Sequence, residues 1–119
     1  MRNHNFDLED RLVKFAGDVI LFLKTIPNDK PGSTLGSQMI RSSTSTALNY
    51  GEAQGGESIK DKIHKLSVVL KELKETRVAM KILAYINYGD LQQRKYLLSE
   101  CGELSAIIAT MIKNNRNKL

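Results

Sequence analysis

Apolar residues recur at three- and four-residue steps in four separate segments of the chain, and the breaks between them are polar or glycine-rich. In the first segment Leu8, Leu12, Phe15, Val19, Phe22 or Leu23 and Ile26 share one face of a helix, which predicts an element over about residues 8–26. Asp7 is read as its N-cap, and Glu9 and Asp10 place negative charge in the first turn, where the helix dipole favours it. Pro27 ends the segment, and "PNDKPG" reads as a turn.

The second segment, about residues 34–54, is less obvious, because five of the six residues from Ser42 to Ala47 carry a hydroxyl. Serine and threonine are weak helix formers, and the run costs roughly 2 kcal/mol relative to alanine. Yet no Pro or Gly interrupts residues 37–50, and a structureless loop of that length does not suit a compact domain. Leu35, Met39, Ser42, Thr46, Asn49 and Ala53 fall along one stripe, flanked by Leu48 and Tyr50. A helix is therefore predicted, with packing offsetting the poor propensity and hydroxyls bonding back to carbonyls of the preceding turn. Gly55-Gly56 is its expected stop.

The third segment, about residues 59–86, opens at "SIKD", where Ser58 and Asp61 have capping-box spacing. Ile59, Ile63, Leu66, Leu70, Leu73, Met80 and Ala84 then follow a near-heptad rhythm up to Asn87 and Gly89. The fourth, about residues 91–114, starts at Asp90 with Gln93 three residues on. Leu97, Cys101, Leu104, Ile108 and Met111 form its stripe, and "KNNRNKL" is a basic end. Nothing alternates as a strand would. Four amphipathic helices with short connections predict an all-α, antiparallel up-down-up-down four-helix bundle, one domain over residues 1–119.

Composition narrows the function more by exclusion than by assignment. A chain of 119 residues buries roughly two-thirds of its unfolded surface without metals or disulfides, and the lone Cys101 cannot form an internal disulfide. The N-terminus carries no apolar signal core, and no run approaches the roughly 18 apolar residues of a membrane span. A soluble cytoplasmic protein without membrane contact is the expectation. The net charge of +5 favours polyanionic partners, although charge alone does not identify one.

Candidate chemistry is sparse. A bundle di-metal site needs two Glu-x-x-His pairs and further glutamates, whereas here only Asp61 and His64 have a related spacing. The serines of the second helix lack a histidine or lysine base nearby. Glu100 and Glu103 beside Cys101 would raise its thiol pKa, and "GEAQGG" lacks the lysine of a phosphate loop. No catalytic residue, metal site, cofactor or small-molecule substrate is expected.

Charged residues divide into two candidate groups. Arg41, Asn49 and Glu52 lie on one side of the second helix and are expected to face the third, joining Glu72 or Glu75 in a partly buried polar network that fixes register. Seven Lys or Arg against three acids occur between Lys60 and Lys81. Lys60, Lys71, Lys74 and Lys81, with Lys113, Arg116 and Lys118 at the end of the chain, are the candidate nucleic-acid contacts. They are expected to meet phosphates rather than bases, because no aromatic residues are interleaved with them.

"FDLEDRLVKFAGDVI", "QMIRSSTSTALNYGEAQGGESIKDKIHKLSVVLKELKETRVAMKIL" and "LLSECGELSAIIATMIK" together resemble the bacterial four-helix-bundle family encoded by intervening sequences within 23S rRNA genes, which also carries a ribosomal-protein label. The most specific part is Arg41, Ser42, Ser45, Asn49 and Glu52, followed by Lys71, Glu72 and Glu75 in a lysine-rich helix. A departure is Gly51 and Ala53-Gln54 around Glu52, where many relatives read Ala-Glu-Gly, so the helix end is expected to differ locally. The resemblance implies a left-handed bundle that assembles as a homo-oligomer, in known relatives a pentamer. It also implies kinship with the accessory protein of diversity-generating retroelements, a basic oligomer that binds nucleic acid and reverse transcriptase. The leading expectation is a non-enzymatic, oligomeric bundle that binds RNA or DNA weakly through a basic surface. The alternative is a protein-interaction or scaffold module, for which Val13, Phe22, Ile107 and Ile112 are read as spare apolar positions beside the core stripes.

Overall fold

Each stretch of three- and four-residue apolar spacing forms one helix: α1 (His4–Leu23), α2 (Lys30–Gln54), α3 (Ile59–Tyr85) and α4 (Leu91–Arg116). The structure, a computed structural model, describes residues 4–55 and 58–119. Packing neighbours are α1–α2, α2–α3, α3–α4 and α4–α1, so the four rods close a ring around one core. Arg11 and Lys14 of α1 meet Glu100 and Tyr96 of α4 in reverse order, as Arg41 and Glu52 of α2 meet Glu75 and Lys65 of α3. Short turns at residues 24–29 and 86–90 fold α2 back along α1 and α4 back along α3, so every neighbour is antiparallel. The up-down-up-down bundle measures 47 × 30 × 19 Å, with α1–α4 as its sparsest contact.

The ends of the helices depart from the sequence reading in instructive ways. α1 starts at His4, so Asp7 lies within the helix rather than at its N-cap. It stops as an α-helix at Leu23, not Ile26. Lys24 to Ile26 wind on through tighter bonds, such as Thr25 N–H to Phe22 O at 2.8 Å, until Pro27. α2 begins at Lys30 rather than residue 34. Asp29 caps it by accepting from Gly32 N–H at 2.9 Å, and Pro31 sits in the first turn, where its missing N–H costs nothing. Half of the apparent turn is therefore helix. α3 closes one residue early at Tyr85, and α4 runs two residues further, to Arg116. Ser58 and Asp90 cap α3 and α4 through Asp61 N–H and Gln93 N–H. At the end of α2 the cap is Gly55, and its expected companion Gly56 lies outside the described residues.

The hydroxyl-rich strip is continuous helix, and its polar groups account for themselves locally. Thr44 donates to Ile40 O at 2.7 Å and Thr46 to Ser43 O at 2.7 Å. Ser42, Ser43 and Thr46 are buried along with Met39, Tyr50 and Ala53. Their small side chains bring α3 close enough for the Ser42 and Thr76 hydroxyls to bond at 2.6 Å.

Leu12, Phe15 and Val19 of α1 meet Leu66, Leu73 and Leu83 of α3 and Leu97, Leu104 and Ile108 of α4 in the shared core. Each such side chain contributes about 1.5–3 kcal/mol by leaving water. Phe22 and Ile112, read as spare, belong to this core: Phe22 is fully buried and Ile112 almost so. Val13 is exposed and Ile107 half-buried. At one end the two odd-even turns are tied together. Asp90 N–H donates to Thr25 Oγ1, Tyr88 bonds Asp29, and buried Arg94 donates to Tyr88 O at 2.8 Å. Gly89, at φ +85°, lies where a Cβ would come within 2.5 Å of Phe22.

Candidate functional site

The α2–α3 seam and the outward face of α3 hold nearly all of the residues singled out from the sequence. Arg41 projects across the seam from α2. Its Nη1 donates to Glu72 Oε2 at 3.0 Å and its Nη2 to Glu75 Oε2 at 2.8 Å. The Glu72 side chain is only 7% exposed against 60% for Arg41, so the arginine covers a carboxylate that packing has taken out of water. Hydrogen bonding to Arg41 holds the Glu75 carboxyl below its ordinary range, and the same bond raises the guanidinium.

Asn49 and Glu52 do not join this cluster. Asn49 Nδ2 turns back along its own helix, to Ser45 O at 3.0 Å and Ser45 Oγ at 2.9 Å. Glu52 instead pairs with Lys65 of α3, three turns along the seam from Arg41. The seam thus carries two ion-pair stations rather than one network. Both tie α2 to α3.

Lys60, Lys71, Lys74 and Lys81 are all exposed, and none has an ion pair among the described residues. Their spacings of eleven, three and seven residues are close to whole helical turns, so they line up on the outward face of α3 rather than spreading round it. Because α4 is antiparallel to α3, its basic last turn, Lys113 and Arg116, returns to the Lys60 end. Lys118 follows beyond the helix and is exposed.

A trough of about 860 Å³ follows the same face from Ser67 to Ile82. Leu35, Leu70, Val78, Ile82 and Ile112 give it apolar lining, which Lys71, Lys74 and Arg116 share. Sequence reading missed it. Val78 and Ile82, one turn apart and 58% and 44% exposed, lie off the core stripe and were the available signal.

A second missed feature is the tie between α1 and α4. Arg11 grips Glu100 with both Nε and Nη2 at 2.7 Å and reaches Glu103 at 3.0 Å. These bonds raise the Arg11 pKa, with Glu100 the main cause. Nothing local announces a pair 89 residues apart. Cys101, by contrast, is a core residue. Burial, more than the neighbouring acids, pushes its thiol up to about 11, and its Sγ–H donates to Leu73 O at 3.1 Å. His64 is exposed, and no group of three or more His, Cys, Asp and Glu among the described residues is placed to hold a metal. Among the described residues no helix is long and apolar enough to cross a membrane.

Comparison with known proteins places this geometry in a family. A crystal structure of a protein of unknown function from the S23 ribosomal protein family of Bacteroides thetaiotaomicron superposes with a TM-score of 0.82 at 27% identity. The match covers 92% of this chain and 97% of the other. No curated protein matches. The family model described as 23S rRNA-intervening sequence protein matches residues 5–110. With nearly the whole bundle inside that match, the chain belongs to the 23S rRNA-intervening sequence protein family.

Proposed function

We propose that this protein is a non-enzymatic RNA-binding bundle that holds phosphates along the outward face of α3. The observation that carries the reading is the alignment of Lys60, Lys71, Lys74 and Lys81, exposed and unpaired among the described residues, with Arg116 beside them. Point charges on flexible stems suit phosphate oxygens, and the absence of tryptophan and of interleaved aromatics argues against base stacking. The family's link to 23S rRNA genes and the neighbour's ribosomal family make structured RNA the polyanion to try first. Against catalysis stand a thiol that stays protonated at neutral pH and serines without a base.

Self-association is part of the proposal. Between Pro31 and Gln54 the only charged residues of α2 are Arg41 and Glu52, both turned to α3. The rest of its outer surface exposes Ile40 and Leu48, and the neighbouring α1 exposes Val13, Ile20 and Leu21. Such depletion favours contact with a second copy.

Fluorescence anisotropy with a structured 23S rRNA fragment tests the RNA reading. Saturable binding at low salt is expected, with log K falling against log salt at a slope of about −3 for about four neutralised phosphates. No binding at low salt would overturn it.

A further inference from the structure

The lysine stripe accounts for only part of the trough on α3. Apolar side chains from three helices share its lining with the charged ones, and a phosphate backbone gains nothing from Leu70, Val78 or Ile82, whose contact would desolvate it without pairing. We infer that this trough docks an amphipathic helix of a partner protein, with aliphatic residues on its buried face and acidic residues flanking them.

Shape, lining and charge converge on that occupant. From Ser67 to Ile82 the floor runs about 22 Å at 1.5 Å per residue, the length of a four-turn helix. It is partly open to solvent rather than enclosed. Ser67 and Ala109 are small residues of its lining, while Val78 and Ile82 offer aliphatic surface that water now covers. Among the described residues Glu75 is the only acid on the lining, and Arg41 holds it, so Lys71, Lys74 and Arg116 are the charges an incoming segment meets. Acidic residues beside an aliphatic ridge answer both features at once. A second copy of this chain would bring a net charge of +5 toward a lining that is already positive. This inference goes beyond the RNA reading and does not depend on it.

The test uses the full chain and a dye-labelled helical peptide of about 16 residues, with leucines at i, i+4, i+7 and i+11 flanked by glutamates. Its control carries lysine for glutamate. The acidic peptide is expected to bind saturably, and NMR of the labelled protein should place the shift changes between Ser67 and Ile82. Val78→Asn with Ile82→Asn, neutral changes at already exposed positions, should weaken peptide binding about tenfold or more and leave RNA binding unchanged. Lys71→Glu with Lys74→Glu should weaken both ligands. No saturable binding, equal binding of the lysine peptide, or indifference to Val78→Asn with Ile82→Asn would overturn the inference. So would association of the protein alone that those asparagines abolish, since the trough would then belong to a second copy. Failure of RNA alone to bind leaves the peptide result intact.

Discussion

The Ser42 hydroxyl lies 2.6 Å from that of Thr76, at the crossing of the poorest helix former in the bundle with its most lysine-rich helix. Thr76 in turn donates to Glu72 O at 2.9 Å, so both hydroxyls are buried and satisfied. Ser42→Ala should cost about 1 kcal/mol, because Thr76 keeps its bond to the α3 carbonyl. Ser42→Leu should cost about 2–3 kcal/mol by forcing α2 off α3. Chemical denaturation of the two variants reads the difference, and equal stability would mean that α2 does not pack as described.

The two interhelical arginines should differ in weight. Arg11 holds Glu100 through two parallel bonds and is half-shielded, whereas Arg41 is mostly in water. Arg11→Met is expected to lower stability by about 1–3 kcal/mol, and Arg41→Met by clearly less, because water screens its pairs. Urea midpoints of the two variants decide the order.

Arg41 also leaves a signature in acid. Glu75 has its carboxyl pKa lowered in the folded state, chiefly by the hydrogen bond to Arg41. The stabilisation is therefore present above the ordinary carboxyl value of 4.5 and is lost as pH falls through the lower folded value. Stability of the native protein should drop more steeply below that pH than stability of Arg41→Met. Thermal midpoints measured across the acid limb check it; parallel curves would contradict the assignment.

Gly89 joins two demands that no other residue meets together: a φ of +85° and the Phe22 ring against its Cα. Gly89→Ala should destabilise by at least about 2 kcal/mol, visible as a lowered thermal midpoint.

How far the sequence foretold this bundle depended on how local each signal was. The caps at Ser58 and Asp90 were legible because donor and acceptor lie three residues apart. The hydroxyl-rich helix was legible because an unbroken stretch leaves the chain few alternatives. Pro31 misled, since a proline marks a turn and a first helical turn equally well. Phe22 and Ile112 were misplaced because adjacent apolar residues on one helix compete for the core, and only the neighbouring helices decide between them. Arg11 and Glu100 meet through tertiary packing alone. The lysine alignment on α3, however, was already present in spacings of eleven, three and seven, and required only that they be referred to the helical period.

Cys101 should be silent in the folded protein. Its thiol is buried and pushed up to about 11, so thiolate is scarce at neutral pH. Alkylation by iodoacetamide should proceed only through unfolding, at a rate that rises with urea. Rapid modification in native buffer would contradict its place in the core.

RNA binding as proposed depends on the arrangement, not the amount, of positive charge. RNA affinity of Lys71→Glu with Lys74→Glu, measured beside Lys24→Glu with Lys30→Glu at one salt concentration, separates the two. Both pairs change net charge equally, and all four lysines are exposed. The α3 pair should lower affinity about tenfold or more while the pair at the α1–α2 turn changes it only slightly. Equal losses from both pairs would show that net charge alone attracts RNA and that the face of α3 is not its site.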